Sequence, residues 1–322
     1  MKKTLLLPLL LIMSCATAPK HKIVQNISIE EKQVNYYVNN LEKPFKAMFL
    51  ADVHYTIEDQ RGEPFYDYSK RMGGSAAKPE NYGKSNGRES SLLKSLDKAK
   101  RENVQLVILG GDILNFPSLA SAESLFEIME NSKMQWMFIS GNHDWHYEGE
   151  QGQAAELRAK WQAKNLKPLY QGENPLYAAK TINGINFVVI DNSTYEITPE
   201  QLTFFKSQVD KKTPLVLAMH IPIYTPEHLG NVYYGCGHPN WNEKNDTNYE
   251  LERRVKWPTT GHTQTTYDFR NLVLESANVI GVYAGHTHKR IIDIHDNIFQ
   301  YVVDSNFNGD DVIINFMNAR KQ

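Results

Sequence analysis

The sequence predicts an α/β fold with partly parallel sheets, and three observations support that prediction. Strand-like and helix-like segments alternate through most of the chain, which is the pattern that βαβ units produce. The strand-like runs are short and apolar throughout, as in strands that are buried on both faces of a sheet. After Lys289 the pattern changes to short alternating strands, joined by Asp-Asn and Asn-Gly turns.

The predicted elements follow in a regular order. A strand at 45–51 has an expected partner at 33–38, and a helix at 89–103, with apolar residues at helical spacing, leads into a strand at 104–109. Thr198 is an expected helix cap, because Pro199 follows it in the first helical position. The other elements are helices at 118–131, 153–165 and 265–277 and strands at 135–140, 185–190, 215–219, 279–284, 290–294, 298–303 and 311–316.

Length and composition limit the class of protein. The 322 residues, 41% of them hydrophobic and 22% charged, exclude a chain that is disordered over most of its length. Lys and Arg total 35 and Asp and Glu total 37, so no basic excess indicates nucleic acid, and we expect no duplex nucleic acid partner. Two cysteines cannot form a disulfide framework. Without a repeat or a central linker, residues 28–322 are predicted to form one domain, whose oligomeric state stays open.

The N-terminal residues resemble an export signal. Two lysines precede an apolar run over 5–13, which is too short to span a membrane and fits the core of a signal peptide. The run ends in Ile-Met-Ser-Cys at 12–15, which resembles the bacterial lipobox. The resemblance implies a signal peptide over 1–14 and a lipid on Cys15, which anchors the exported protein in the cell envelope on a periplasmic or outer-membrane face. Residues 15–27 would be the lipidated cysteine and its tether, and simple secretion is the alternative.

Five predicted strands end in residues that bind metals. In an open α/β sheet the ligand crevice lies at the carboxyl ends of the strands, so these five ends are expected to converge. In an extended backbone residues i and i+2 point to the same face, which would pair Asp52 with His54 and His286 with His288. Carboxylates, an amide and imidazoles without thiolates suit Mn²⁺, Fe²⁺ or Zn²⁺. The strand ends carry Asp52-x-His54, Gly-Asp112, Gly-Asn142-His143-Asp144, His220 and Gly-His286-x-His288.

From Asp52 to His288, the order of these motifs resembles that of the calcineurin-like metallophosphoesterase superfamily. The resemblance implies a four-layer α/β/β/α sandwich of two mixed sheets, with a dinuclear metal centre. The implied reaction is hydrolysis of a phosphate monoester or diester by a metal-activated water. The resemblance places Asp52, His54 and His288 on one ion, Asn142, His220 and His286 on the other, and Asp112 between them.

The resemblance also implies two catalytic residues that bind no metal. His143 would donate a proton to the leaving oxygen or hydrogen-bond to the phosphate, and Asp144 would orient it. Protein Ser/Thr phosphatases have Glu in place of Asp144, and purple acid phosphatases have a metal-binding Tyr in place of Asn115. These departures leave the broad phosphatase and phosphodiesterase group, with a small-molecule, lipid or nucleotide phosphoester as substrate. The alternative is a metal-dependent binding or scaffold protein without turnover, but the intact His143–Asp144 pair favours an enzyme.

Two long segments, 58–90 and 224–264, have weak periodicity and are predicted to be inserted loops. The first follows Asp52-x-His54 directly, so we interpret it as a substrate-binding lid rather than a solvated surface insertion. Aromatic residues of the second would stack on a base or sugar, or pack the loop against the domain. The candidate substrate-binding residues are Arg61, Arg71, Arg88, Asn115, Tyr233 and Trp241.

Replacing the cysteine of the lipobox-like motif tests the predicted anchor. We expect Cys15→Ser to move the protein from the membrane fraction to the soluble fraction with unchanged activity, because nothing in the predicted chemistry uses Cys15. Cell fractionation and mass spectrometry of the mature N-terminus measure this. Wild-type protein without lipid mass at its N-terminus would contradict the prediction.

Overall fold

The computed structural model describes residues 24–57, 61, 65–73, 84–226, 234–295 and 298–319. The predicted signal peptide, Cys15 and Tyr233 lie outside these residues. The described strands are β1 (Val24–Glu30), β2 (Gln33–Val38), β3 (Phe45–Leu50), β4 (Leu106–Leu109), β5 (Gln135–Phe138), β6 (Tyr177–Ile182), β7 (Ile185–Ile190), β8 (Leu215–Ala218), β9 (Val279–Ala284), β10 (Ile291–His295), β11 (Ile298–Val302) and β12 (Val312–Asn318). The described α-helices are α1 (Tyr66–Gly73), α2 (Glu89–Arg101), α3 (Leu119–Ser132), α4 (Ala154–Ala163), α5 (Pro199–Val209), α6 (Asn248–Leu251) and α7 (Gln264–Glu275).

The strands form two mixed sheets of six strands each. Sheet 1 has the order β1-β2-β12-β3-β4-β5, and sheet 2 has the order β10-β11-β9-β8-β7-β6. Within sheet 1, β3, β4 and β5 are parallel, and within sheet 2, β7, β8 and β9 are parallel. The carboxyl ends of each parallel set therefore lie at one edge of its sheet, as the sequence predicts.

Three hydrophobic clusters show how the layers pack. One lies between the sheets and joins Phe316 of β12 to Phe187 of β7 and Tyr283 of β9. A second packs the outer face of sheet 1 against α2, α3 and α4, and a third packs the outer face of sheet 2 against α5 and α7. The predicted four-layer α/β/β/α sandwich is confirmed.

Two features of the edge of sheet 1 differ from the prediction. Strand β2 is not the partner of β3, because β12 lies between them, parallel to β2 and antiparallel to β3. Strand β1 pairs with β2, so residues 24–27, which the sequence assigns to the tether, belong to the sheet. The first difference depends on pairing between distant segments, which local sequence patterns do not report, whereas β1 and β2 form a hairpin of neighbouring segments.

Both inserted segments contain helix. The first insert contains α1, and Phe65 before it stacks on Tyr147 at 5.4 Å and meets Trp161 edge-on at 4.9 Å between ring centroids. The second insert contains the short helix α6. Phe65 thus packs the start of α1 against the domain, although Arg61 and Lys84 of the same insert are exposed.

The start of α5 follows the prediction. The Thr198 hydroxyl accepts a hydrogen bond from the Gln201 amide, the Gln201 side chain accepts one from the Thr198 amide, and Pro199 opens the helix. In the described part of the chain, no helix combines the length and apolar character that crossing a membrane requires.

Candidate metal centre

The structure brings the five predicted strand ends together. Among the described residues, possible ligand atoms within 4.8 Å of one another form three groups; His54 belongs to two of them, and so does Asp112. Asp52, His54, Asp112, Asn142 and His220 are all buried, whereas the His288 side chain is 40% exposed. The three groups are Asp52 with His54 and His288, His54 with Asp112 and His143, and Asp112 with His220 and His286.

Most of these residues have a left-handed backbone. The φ angle is 57° at Asp52, 49° at His54, 52° at Asp112, 72° at His286 and 50° at His288. Such a conformation costs about 1–3 kcal/mol for a residue with a side chain, and it persists where surrounding contacts impose it. The paired ligands therefore lie on sharp turns directly after the strands. The expectation that they lie on an extended segment is wrong.

Glycines next to these turns make room for the carboxylates. A Cβ atom on Gly141 would lie 2.2 Å from Asp112 Oδ1, and a Cβ atom on Gly285 would lie 2.4 Å from Asp52 Oδ2. Neither position tolerates a side chain unless the carboxylate moves. The glycines of the motifs thus serve the close packing of the centre.

Each carboxylate has one oxygen held by the backbone and the other turned toward histidines. Asp52 Oδ2 accepts a hydrogen bond from the His286 amide at 2.9 Å, and its Oδ1 lies 3.3 Å from His288 Nε2. Asp112 Oδ1 accepts one from the His143 amide at 2.7 Å, and its Oδ2 lies 3.2 Å from His220 Nε2. One oxygen of each carboxylate is thereby directed into the centre.

Asn142 and His220 are likewise held through one side-chain atom, which leaves a second atom directed toward the centre. Asn142 Nδ2 donates to Glu252 Oε1 at 2.9 Å, which turns the amide oxygen toward the centre. His220 Nδ1 donates to the Gly110 carbonyl at 3.0 Å, which leaves Nε2 as the ring nitrogen that can bind a metal.

The protonation of the histidines reflects burial and the two carboxylates. Burial lowers the pKa of His54 well below its usual value, helped by His143, and burial lowers the pKa of His286 to about 3. Both imidazoles are therefore neutral, which is the form that binds metals. Burial also acts to lower the pKa of His220, but the Asp112 carboxylate outweighs it and raises that pKa to about 10.

Three buried atoms of the centre, Asp52 Oδ1, Asn142 Oδ1 and His220 Nε2, make no well-aligned hydrogen bond among the described residues, although Asp52 Oδ1 lies 3.3 Å from His288 Nε2 and His220 Nε2 lies 3.2 Å from Asp112 Oδ2. Unpaired buried polar atoms are costly, so their concentration at one place requires an explanation. All three are atoms that coordinate divalent cations, and they belong to residues of the predicted ligand set. The centre therefore fits a dinuclear site for divalent metal ions.

His143 lies at this centre, but Asp144 does not orient it. The His143 ring is edge-on to His54 at 4.5 Å between centroids, and its Nδ1 donates to the Asn115 carbonyl at 3.2 Å. The Asp144 carboxylate is fully buried and accepts hydrogen bonds from the amides of Asp112, Leu114 and Gly141 at 2.7 Å each. The predicted role of Asp144 is wrong, because its side chain holds the turns that carry Asp112 and Asn142.

The structure places the predicted substrate-binding residues in different environments. Arg61 is exposed and pairs with Glu123 at 2.7 Å. Trp241 is 1% exposed and stacks on His262 and Tyr195, so it is a core residue and not a substrate contact. Tyr233 lies outside the described residues.

Arg71 and Asn115 lie beside His143. Together with Met72 and Leu251 they line a pocket of about 180 Å³ that contains His143. The Asn115 side chain donates to the Met72 carbonyl at 2.9 Å, so it fastens the first insert to the centre. Arg88 lies on another side, with its guanidinium 4.6 Å from the ring centroid of Phe307.

Sequence reasoning missed four residues of the surroundings. Arg254 is buried, pairs with Glu252 at 2.7 Å and donates to the Asn142 carbonyl at 3.1 Å. The Tyr195 hydroxyl lies 2.9 Å from His286 Nε2, and the Phe307 ring lies 5.3 Å from that of His288. No local motif marks these residues, because they reach the centre from three separate segments: Glu252 and Arg254 from one, and Tyr195 and Phe307 from one each.

The chain belongs to the calcineurin-like phosphoesterase family, whose model matches residues 45–290 and so includes every motif from Asp52 to His288. Membership supports metal-dependent hydrolysis of phosphate esters as the general activity, and the His/Asp groups are compatible with a dinuclear metal site. No curated protein sequence matches the chain.

Solved structures resemble the chain at low identity. A dimetal phosphatase from Danio rerio has a TM-score of 0.51 and 13% identity, over 82% of this chain and 89% of that one. An archaeal phosphodiesterase has a TM-score of 0.34 and 14% identity, over 81% and 84% of the two chains. A putative 5′-nucleotidase from Staphylococcus aureus has a TM-score of 0.42 and 12% identity, over 82% and 49%. The first likeness shows the fold alone, and the other two are too distant to add to it.

Glu252 can be tested as the residue that orients Asn142. We expect Glu252→Ala to weaken Mn²⁺ binding roughly 10- to 100-fold, because the amide of Asn142 is then free to turn. Calorimetric titration of the metal-free protein measures this, with thermal unfolding recorded separately because Arg254 also loses its partner.

The neighbouring exposed residue Glu250 provides the matched control, and Glu250→Ala should bind Mn²⁺ as the wild type does. Glu252→Gln should keep most of the affinity, because its amide oxygen still accepts the hydrogen bond. Wild-type affinity for both ions in Glu252→Ala would contradict the assigned role.

Proposed function

We propose that this protein hydrolyses phosphate esters at a centre of two divalent metal ions, Mn²⁺, Fe²⁺ or Zn²⁺. The observation that carries the proposal is the position of Asp112, which belongs both to the group around His54 and to the group around His220 and His286. A carboxylate shared in this way is suited to bridge two ions. Asp52, His54 and His288 would hold one ion, and Asn142, His220 and His286 the other.

The metal ions, when bound, supply an activated water and stabilise the charge of an in-line displacement at phosphorus. The chain's own contribution is to fix the ligands before substrate arrives. The backbone amides that hold Asp52 and Asp112, and the carbonyl that holds His220, leave each side chain in one orientation. Little reorganisation is then needed during the reaction, which favours catalysis.

His143 is the residue placed to transfer a proton. Its Nδ1 is occupied by the Asn115 carbonyl, so Nε2 is the nitrogen available to a substrate. In the cationic form, Nε2 carries a proton that it donates to the leaving oxygen or shares with a phosphoryl oxygen. The half-buried position of His143 at the edge of the centre supports either role.

The pocket beside His143 supports a leaving-group site. It is lined by Arg71 and Met72 of the first insert and by Leu251 of the second. Leu251 is 78% exposed, so its side chain forms an apolar rim. We propose that both inserts hold the leaving group of the ester here, while the metal centre holds the phosphoryl group.

Turnover of simple esters tests the proposal. The Mn²⁺-loaded protein should release p-nitrophenol from mono- or bis-p-nitrophenyl phosphate, and a chelator should stop the release. The ratio of the two rates separates monoesterase from diesterase character. No turnover of either ester or of a broader phosphoester panel, with metal bound, would favour the non-catalytic binding protein instead.

Two substitutions should differ in their effect on the metal content of the protein. We expect Asp112→Ala to abolish activity and lower the metal content, because both groups lose their shared carboxylate. We expect His143→Ala to keep the metal and to lower turnover by roughly 10²–10⁴-fold, as for a lost general acid. Elemental analysis and kcat measurements on both variants check this, and metal loss in His143→Ala would show that the ligand set is wrong.

A further inference from the structure

A half-buried cation lies beside the metal centre on the His288 side. The Arg88 guanidinium stacks on the Phe307 ring at 4.6 Å, and that ring lies 5.3 Å from His288 and 5.8 Å from His54 between centroids. One aromatic ring therefore separates Arg88 from two predicted metal ligands. A guanidinium that lies over an aromatic ring can still donate its N–H groups to a ligand.

Arg88 differs from Arg71 and Arg254 in that no hydrogen bond or ion pair of its guanidinium is found among the described residues. Arg254 pairs with Glu252 at 2.7 Å, and Arg71 donates to the Glu148 carbonyl at 3.0 Å. Burial lowers the pKa of Arg88, which shows that its environment disfavours an uncompensated charge.

The metal centre increases the need for an anion at this place. Two divalent ions would bring more positive charge than the carboxylates of Asp52 and Asp112 neutralise. Arg88 adds a further positive charge without adding a ligand. A phosphoryl group on the metal ions would compensate the first of these excesses, which leaves Arg88 available to a separate anionic group.

Arg88 and Phe307 are both fixed to the segment that carries Asp52 and His54. The Asn86 side chain donates to the His54 carbonyl at 2.8 Å and accepts from the Arg88 amide at 3.2 Å. The Phe307 amide donates to the Asp52 carbonyl at 3.3 Å. Arg88 and Phe307 therefore keep a set position relative to the metal centre, which residues that determine specificity must do.

Phe307 and His143 both contact the ring of His54. The His54 ring contacts both the His143 ring, at 4.5 Å, and the Phe307 ring, at 5.8 Å. Among the described residues, no ring contact joins His143 to Phe307. Neither Arg88 nor Phe307 lines the pocket beside His143, so we treat an anion bound by Arg88 as separate from the leaving group.

We propose that Arg88 and Phe307 form a binding site for a second anionic group, a carboxylate or phosphate, carried by the phosphoester substrate. This inference rests on the proposed function, because it takes the phosphoryl group to bind at the metal centre. The substrate class it names is a phosphoester with two separate anionic groups, of which the metal ions bind one and Arg88 the other.

Paired phosphonates of increasing length test the proposal without turnover. The probes are phosphonoacetate, 3-phosphonopropionate and 4-phosphonobutyrate, each compared with the alkylphosphonate of the same chain length. Calorimetry on the Mn²⁺-loaded protein gives the ratio of dissociation constants within each pair. At the best-fitting length we expect the carboxylate to improve affinity roughly tenfold or more, the effect of one charge-assisted contact.

The Arg88→Met variant should lose this advantage while its affinity for the alkylphosphonates stays within about twofold of wild type. Lys84→Met is the matched control, because Lys84 is an exposed cation of the same segment, and it should keep the advantage. Metal content and thermal unfolding of each variant show that the fold is intact. Arg88→Lys keeps the positive charge but loses the paired N–H donors of the guanidinium, so it should retain part of the advantage. This variant is the test to use if Arg88→Met is unstable.

The outcomes separate this inference from the proposed function. No carboxylate advantage at any length, or an advantage that survives in both Arg88 variants, overturns the subsite. A protein that hydrolyses simple esters but shows no advantage contradicts the subsite alone. A protein with an Arg88-dependent advantage but no turnover contradicts the proposed hydrolysis and leaves the anion site in place.

Discussion

A side chain that binds a metal must present one atom to the ion while its other atoms are held, and this requirement governs the centre of the present structure. The amides of His286 and His143 hold one oxygen of Asp52 and of Asp112, and the Gly110 carbonyl holds one nitrogen of His220. All three holding groups belong to strand ends or to the turns that follow them. The two parallel strand sets, and the close contact of the two sheets, are needed because each ligand is held by the backbone of another segment.

The sequence predicts the fold and the location of the centre because both depend on short-range patterns. Buried parallel strands are apolar runs, and the polar residues directly after them mark the converging ends. The arrangement of the centre itself was less predictable. The left-handed backbone of Asp52 and His54 and the buried role of Asp144 depend on hydrogen bonds to residues distant in the chain. An aromatic residue such as Trp241 looks the same in the sequence whether it contacts substrate or belongs to the core. Only the packing seen in the structure distinguishes the two.

The two inserts contribute to the centre in different ways. The second supplies Glu252 and Arg254, which contact Asn142 by side chain and by backbone, so its position affects a predicted metal ligand directly. The first supplies Arg71 and Arg88, which lie at two separate places around the centre. Variation in the first insert can therefore alter which esters fit, whereas variation near Glu252 also alters metal affinity.

The position of β12 has a consequence for when the protein can fold. This strand lies between β2 and β3, although almost the whole described chain separates it from them in sequence. While it is still being synthesised, the edge of β3 that faces it has no partner, and an unpaired strand edge promotes aggregation. Sheet 1 can close only through contacts of very long sequence separation, which form slowly. The metal centre, whose first two ligands follow β3, therefore depends on a strand that comes later in the chain than all of its predicted ligands.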